Sequence, residues 1–408
     1  SIPLEEEESI GCQGSVAAEA CQPIRLEKLL AVFMGSAGQS TLGQEARGAL
    51  AQAADFSSLR EQHRAAWAKL WAEMPFNAED EAIEQAQHVT LFHLLQNYSP
   101  HSIGRDVGMP ARGWQEAYRG QVFWDEMFAV PVISLRFPEL AREMLNYRHA
   151  RLGQARGNAR ERGLNGALYP WRSARTGEEE TPRFQESPIT GDWREDHTDH
   201  QVHVNASIAW DIVHYLWATD DRAFLHAQGL DMLVDIARMW ASLVVHDPRS
   251  DRFDIQGVVG PDEFHTAYPQ AESIGINNNA YTNVMAAWCL AQTKELLEDA
   301  PEAVRLRLGF TVEEARQWDH ISRRLRIVFL PDGVVSQFEG LEQLRQIDQE
   351  ELGEGSAEWL LHAQGEDVNG YQLFKQADFA MLLYLFTADE LQLLFARLGY
   401  AVTAEQLQ

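Results

Sequence analysis

Apolar positions in this chain recur at helical spacing over most of its length, and strand-like alternation is scarce. From Asn77 onward, long periodic segments alternate with loops rich in Gly, Pro, Asn and charge. The pattern predicts helices over 78–98, 124–147, 147–162, 201–219, 222–245, 279–297, 301–329, 373–385 and 388–398. Thr219-Asp220-Asp221 and Thr387-Ala388-Asp389-Glu390 supply ordinary N-caps. One short strand candidate, 252–257, interrupts them. Before Asn77 lie an acidic run at 5–8 and an apolar stretch at 24–33 that reads as a strand. An Ala-rich helix follows over 42–74, with Leu59, His63, Ala66, Trp67, Leu70 and Trp71 on one face. The division expected is 1–35 as the end of a preceding domain or linker, 36–76 as a helical linker, and 77–408 as an all-α domain of antiparallel helices.

Charge narrows the class. The 408 residues carry 34 basic against 61 acidic side chains, a formal net charge of -27. That argues against nucleic acid or an anionic membrane as partner and suits a neutral ligand. No signal peptide and no apolar run of about 18 residues stands out, so no membrane span is expected. Cys12, Cys21 and Cys289 cannot all pair and show no metal spacing; Cys289 lies in an apolar helical stretch, as a buried thiol does. A reducing, cytoplasmic setting fits. Of 12 tryptophans, Trp114, Trp124, Trp171 and Trp193 sit in polar or Gly- and Pro-containing segments. An indole face covers the C–H face of a pyranose, so these point to sugar.

Six segments carry candidate chemistry. In Gly260-Pro261-Asp262-Glu263-Phe264-His265, Pro261 stiffens a turn ahead of two carboxylates. Mutual repulsion and an apolar neighbour both raise a carboxyl pKa, as a general acid near neutral pH requires; a solvated acidic loop is the plainer reading. In 117–126 an indole, carboxylates and an amide meet at a helix start. There Asp125 either caps the helix or accepts from sugar hydroxyls above Trp124. In 166–180, Pro170-Trp171 holds an indole on a stiff loop, and Glu178-Glu179-Glu180 reads as a solvated run. In 196–205, His197, His200 and His203 invite a metal. No glutamate base or cysteine partner accompanies them, so none is expected. Asn277, Asn278, Asn279 and Asn283 crowd one helix start, where N-capping explains only one, and Lys375-Gln376 opens another.

Together these segments resemble glycoside hydrolase family 65, the maltose, trehalose and kojibiose phosphorylases and their hydrolytic relatives. The likeness rests on Val122-Phe123-Trp124-Asp125-Glu126, Tyr169-Pro170-Trp171, His203-Val204-Asn205-Ala206, Gly260 to His265, Asn278-Asn279-Ala280-Tyr281-Thr282-Asn283 and Lys375-Gln376-Ala377-Asp378, in the family's order. It implies an (α/α)6 barrel after a β-sandwich whose last strands fall near 1–33. It implies inverting cleavage of an α-glucosidic disaccharide, with Glu263 as general acid. Trp124, Asp125, Trp171, Lys375 and Gln376 then bind the glucosyl unit, and Phe123, Glu126, Asp262, His265 and Asn279 support them. No cofactor is implied. Inorganic phosphate is the co-substrate of a phosphorylase, giving β-glucose 1-phosphate, and homodimers are common in the family. Arg172, Gln121 and Asn277 depart from the usual Glu or Gln, His and Asp. The family's phosphate-binding loop and the hydrolases' second carboxylate have no counterpart before Gln408. Hydrolysis and a carbohydrate-binding, inactive member therefore stand beside phosphorolysis as readings.

Overall fold

A computed structural model describes the chain except residues 1, 7, 8, 14, 18, 34, 36–39, 112–117, 348–351 and 408; for 2–6, 9–13 and 404–405 it describes the backbone alone. Glu7, Glu8, Trp114 and Ala117 thus lie outside the described residues. Contacts divide the chain into Ser1–Asn77 and Ala78–Gln408.

In the first unit, β1 (Ile2–Glu6) and β2 (Ser9–Gln13) form an antiparallel hairpin that pairs Ile2 with Gln13. Residues 24–33, expected as a strand, form none. They have no partner strand among the described residues, and Leu26, Leu30 and Val32 face solvent. The single helix expected over 42–74 is two, α1 (Leu42–Gln52) and α2 (Phe56–Glu73). Asp55 ends the continuity because its carboxylate accepts from the Ser58 N–H and starts α2 anew. Met74 is the one buried apolar residue among the described side chains of this unit.

The second unit holds α3 (Glu81–Asn97), α4 (Glu126–Arg136), α5 (Pro138–Ala150), α6 (Leu152–Glu161), the hairpin β3 (Phe184–Glu186) with β4 (Trp193–Glu195), and α7 (Val204–Thr219). Then come α8 (Arg222–Phe224), a π-turn (Leu225–Gly229), α9 (Leu230–Leu243) and the hairpin β5 (Val245–Asp247) with β6 (Arg252–Asp254). Last are α10 (Ala280–Asp299), α11 (Glu302–Leu308), α12 (Val312–Ser322), α13 (Ala357–Ala363), α14 (Asp378–Leu385), α15 (Ala388–Arg397) and α16 (Ala404–Leu407). Three predicted helices are split. Pro138 starts α5 where 124–147 was read as continuous, Arg151 separates α5 from α6, and Gly309, with φ of 63°, ends α11. The strand candidate 252–257 is real only to Asp254.

This unit is an (α/α)6 barrel. α4 packs on α7, α7 on α10, and α10 on α14, making successive inner staves; α5, α9, α12 and α15 pack outside them. Inner staves touch neighbours on every side. Accordingly α7 is buried without a break from Val204 to Val213, and α10 from Ala280 to Ala291. The outer α12 buries only Trp318, Ile321 and Ser322. The four inner staves begin immediately after the loops that carry candidate chemistry, so their N-terminal ends bring those loops together. No single helix among the described residues is long and apolar enough to cross a membrane.

Candidate active site

The turn into α4 is held from behind by a buried ion pair. Arg148 Nε donates to Glu126 Oε2 at 2.7 Å, and its Nη2 donates to the Phe123 carbonyl at 2.6 Å. Both side chains are removed from water, so Phe123, Trp124 and Asp125 are fixed to the core. Burial raises the Glu126 carboxyl and Arg148 opposes it. Asp211 stands beside the pair, and burial, then the Glu126 charge, lifts it well above the ordinary range. Asp125 occupies the N-cap position of α4 without capping it through its side chain.

Trp124 and Trp171 lie 6.1 Å apart between ring centroids, over the rings of His203 and Tyr281. The Trp171 loop is fixed by Glu179, whose carboxylate accepts from the N–H groups of Trp171, Arg172 and Thr181 and from the Thr181 hydroxyl. The acidic run read as solvated is therefore, at Glu179, an internal brace whose burial raises its carboxyl. His203 is wholly buried in the aromatic floor, and burial pushes it down to about 3 against an opposing Val259 backbone contact.

This has a consequence for acid stability. The unfolded imidazole takes a proton near its ordinary 6.5, the folded one only near 3. Between these values the unfolded chain binds the extra proton. The His203 contribution is therefore complete above about pH 6.5 and is lost at about 1.4 kcal/mol per unit as pH falls. A His203→Phe variant keeps the ring and loses the titration, so its urea-unfolding free energy should decline less steeply between pH 6.5 and 4. Parallel slopes for the two proteins would reject this.

The Gly260–His265 turn closes against α10 and α14. A Cβ on Gly260 would come within 2.2 Å of Asp378 Oδ2 and 2.5 Å of Asn279 Nδ2, so only glycine fits. Asp262 is buried. Its Oδ1 accepts from the N–H of Lys375 at 2.6 Å and of Gln376 at 3.3 Å, and its Oδ2 lies 2.8 Å from His265 Nδ1. His265 Nε2 is 2.9 Å from the Tyr371 carbonyl, which can only accept, so that nitrogen carries hydrogen. Asp262 and His265 thus lock two loops together. Glu263 points the other way. Its backbone has a φ of 64°, a left-handed conformation rare for Glu, and its carboxylate pairs with Lys375 Nζ at the cavity wall. Gln376 Nε2 donates to the Pro261 carbonyl.

A cavity of about 580 Å³ is lined by Trp124, Asp125, Trp171, Glu263, Lys375 and Gln376, with Phe123 at its edge. Glu126, Asp262, His265 and Asn279 stand behind that lining. The crowded amides are structural. Asn279 caps α10 at the Thr282 N–H and donates to Asp378 at 2.6 Å; Asn278 donates to Asp254 and Glu339; Asn277 accepts from the Gly257 N–H; Asn283 donates to the Arg326 carbonyl. The three histidines separate: His197 lies 3.9 Å from Glu195, and His200 Nδ1 donates to the Gly257 carbonyl at 3.1 Å. Among the described residues no group of three or more His, Cys, Asp or Glu is placed to hold a metal. Trp193 exposes its indole on β4 and does not line the cavity. Sequence reasoning missed most of the cavity's other wall: Gln185, Arg194, Glu358, Trp359 and Asn369, which stand with Asp196. Glu358-Trp359, after Gly353-Glu354-Gly355-Ser356, carries the same signal as Trp124-Asp125.

The profile of the glycosyl hydrolase family 65 central catalytic domain matches residues 88–406, and that of the family's N-terminal domain matches 3–70. An uncharacterized glycosyl hydrolase of Mycobacterium tuberculosis is 42% identical over 404 residues, covering 96% of this chain and 30% of the relative. The kojibiose phosphorylase of Halothermothrix orenii is 34% identical, covering 82% of this chain and 43% of its own length. The trehalose 6-phosphate phosphorylase of Lactococcus lactis is 31% identical, covering 87% and 46%. This chain therefore spans less than half the length of each. A solved structure of a candidate kojibiose phosphorylase from the human microbiome superposes with a TM-score of 0.68 at 22% identity, covering 88% of this chain and 46% of that one, and so shares the fold. With its barrel, its rim loops and a profile match over most of its length, the chain belongs to glycosyl hydrolase family 65.

Proposed function

We propose that the protein cleaves an α-glucosidic disaccharide by phosphorolysis with inversion, releasing β-glucose 1-phosphate and a sugar. The observation that carries this reading is the opposite placement of two adjacent carboxylates. Asp262 is locked by two backbone N–H groups and His265, while Glu263 enters the cavity beside Lys375, Trp124 and Trp171. Trp124 offers its face to the pyranose, and Asp125 accepts from its hydroxyls. Glu263 gives its proton to the bridging oxygen as the C1–O bond breaks. A phosphate oxygen then forms the new C1–O bond from the opposite face, and the electron pair of the old bond leaves with the protonated sugar oxygen. Phosphate as nucleophile needs no protein base, so Glu263 suffices as the one proton donor of this step. In the free protein the Lys375 ammonium pairs with the Glu263 carboxylate; bound sugar hydroxyls would take over the ammonium, and the freed carboxylate takes from solvent the proton it then transfers. The kojibiose and trehalose 6-phosphate phosphorylases among the relatives support phosphate as nucleophile.

The decisive experiment incubates the full chain with kojibiose or trehalose, with and without phosphate, and follows the anomeric protons by NMR. Phosphorolysis predicts β-glucose 1-phosphate only when phosphate is present. Free β-glucose formed at the same rate without phosphate would make the protein a hydrolase. Binding of both sugars with no turnover under either condition would make it a carbohydrate-binding member.

A further inference from the structure

Granted the glucosyl site proposed above, we propose that Arg194, Glu358 and Trp359 form the specificity-determining wall that holds the leaving sugar and selects a neutral polyol over a phosphorylated one. These residues come from distant parts of the chain, β4 and α13, and meet on the cavity surface. The Arg194 guanidinium lies 4.3 Å from the centre of the Trp359 ring, and its Nη2 pairs with the Glu358 carboxylate. The stack is a flat plate edged with donors, a surface that suits a second pyranose. Arg194 Nε is buried and has no acceptor among the described residues, although buried donors rarely go without one. A sugar oxygen would satisfy it.

The plate is joined to the acid. Phe264, next to Glu263, packs in one apolar cluster with Leu352, Ala357, Leu361, Val368 and Tyr371, so α13 rests on the loop that carries Glu263. Asn369 ties the same segment to Thr266, accepting from its N–H at 2.8 Å. A sugar bridging from Trp124 past Glu263 therefore meets the plate next.

Charge decides which sugar. Arg194 is already matched by Glu358. Arg172, across the cavity, lies over the rings of Phe123 and Tyr118 and faces buried Asp196 at 3.8 Å. Lys375 is matched by Glu263. Asp125 and Glu195 add negative charge to the lining. Among the described residues the wall has no surplus positive charge for a phosphate. A phosphorylated sugar would have to break the Arg194–Glu358 pair and leave the Glu358 carboxylate facing it. Hydroxyls need no such exchange.

The test is calorimetric titration of the full chain in phosphate-free buffer, where phosphorolysis cannot run and the Lys375–Glu263 pair is kept, with glucose, kojibiose, trehalose and trehalose 6-phosphate. Trp359→Ala and Arg194→Met should each weaken kojibiose and trehalose about tenfold and change glucose less than about twofold. Trehalose should bind about tenfold or more tighter than its 6-phosphate, and Glu358→Gln should narrow that gap. Thermal unfolding of each variant checks that it is folded. Equal losses for glucose and the disaccharides, unchanged disaccharide binding in both variants, or tighter binding of the 6-phosphate would each overturn the assignment. A parent that binds glucose while the variants behave in one of those ways refutes the wall alone. A parent that binds none of the four refutes the glucosyl reading, and the wall falls with it.

Discussion

Replacing Glu263 by Gln is expected to lower kcat on a disaccharide by about 10²-fold or more, with a modest change in substrate affinity. The amide keeps the size of the side chain and can still reach Lys375 through its oxygen, but it has no acidic proton to give. A sugar alkoxide is a poor leaving group, so the missing proton falls on the bond-breaking step. α-Glucosyl fluoride departs with less help, so the variant should be relatively less impaired on it. Asp262→Asn provides the contrast. The Asn oxygen can keep the N–H bonds of Lys375 and Gln376, and its amide can donate to His265 Nδ1 while Nε2–H still reaches Tyr371. That variant should lose far less activity. Near-normal turnover in Glu263→Gln together with loss in Asp262→Asn would move the acid one residue back. Full activity in both would end the assignment.

The largest effect on stability is expected from Arg148→Met, about 3–5 kcal/mol by urea unfolding. Arg148 and Glu126 are both buried, and the guanidinium also holds the Phe123 carbonyl. Removing it strands the buried Glu126 carboxylate beside Asp211 without its guanidinium partner. The loss should reach the site too, because Trp124 follows Phe123 directly. Combining Arg148→Met with Glu126→Gln removes the stranded charge, so the double variant should be more stable than Arg148→Met alone. Strict additivity of the two single effects would show that the pair is not coupled and would defeat this account.

The inner wall of the site was legible because each inner helix begins where its motif ends. A strong apolar run follows Trp124-Asp125, His203, Asn279 and Gln376, and the run marks the helix start. Helix ends were less legible. Pro131 and Pro138 look alike in sequence, yet α4 continues through Pro131 and stops before Pro138, which opens α5. Proline suits a first turn and also survives inside a packed helix, and tertiary contacts choose between them. The amides at 277–283 beyond the one N-cap went unassigned for a physical reason. Asn binds sugars and braces loops with the same donors and acceptors, and only coordinates show where they point. Glu179 was misjudged likewise, since a run of three glutamates reads as solvent-facing whichever one turns inward. The outer wall went unread because β4 and the seven residues of α13 are too short to show a period.

The left-handed backbone at Glu263 also bears on how such a protein would drift. An L-residue with a bulky side chain is held there at a cost, and the surrounding Gly260-Pro261 turn, Asp262 and His265 enforce it. Gly or Asn would sit at this position with less strain. A lineage released from its substrate and selected only to stay folded would therefore tend to discard the acid early, while the buried dyad behind it persisted. Under the proposed role of Glu263, a glutamate on this left-handed backbone answers to chemistry rather than to the fold.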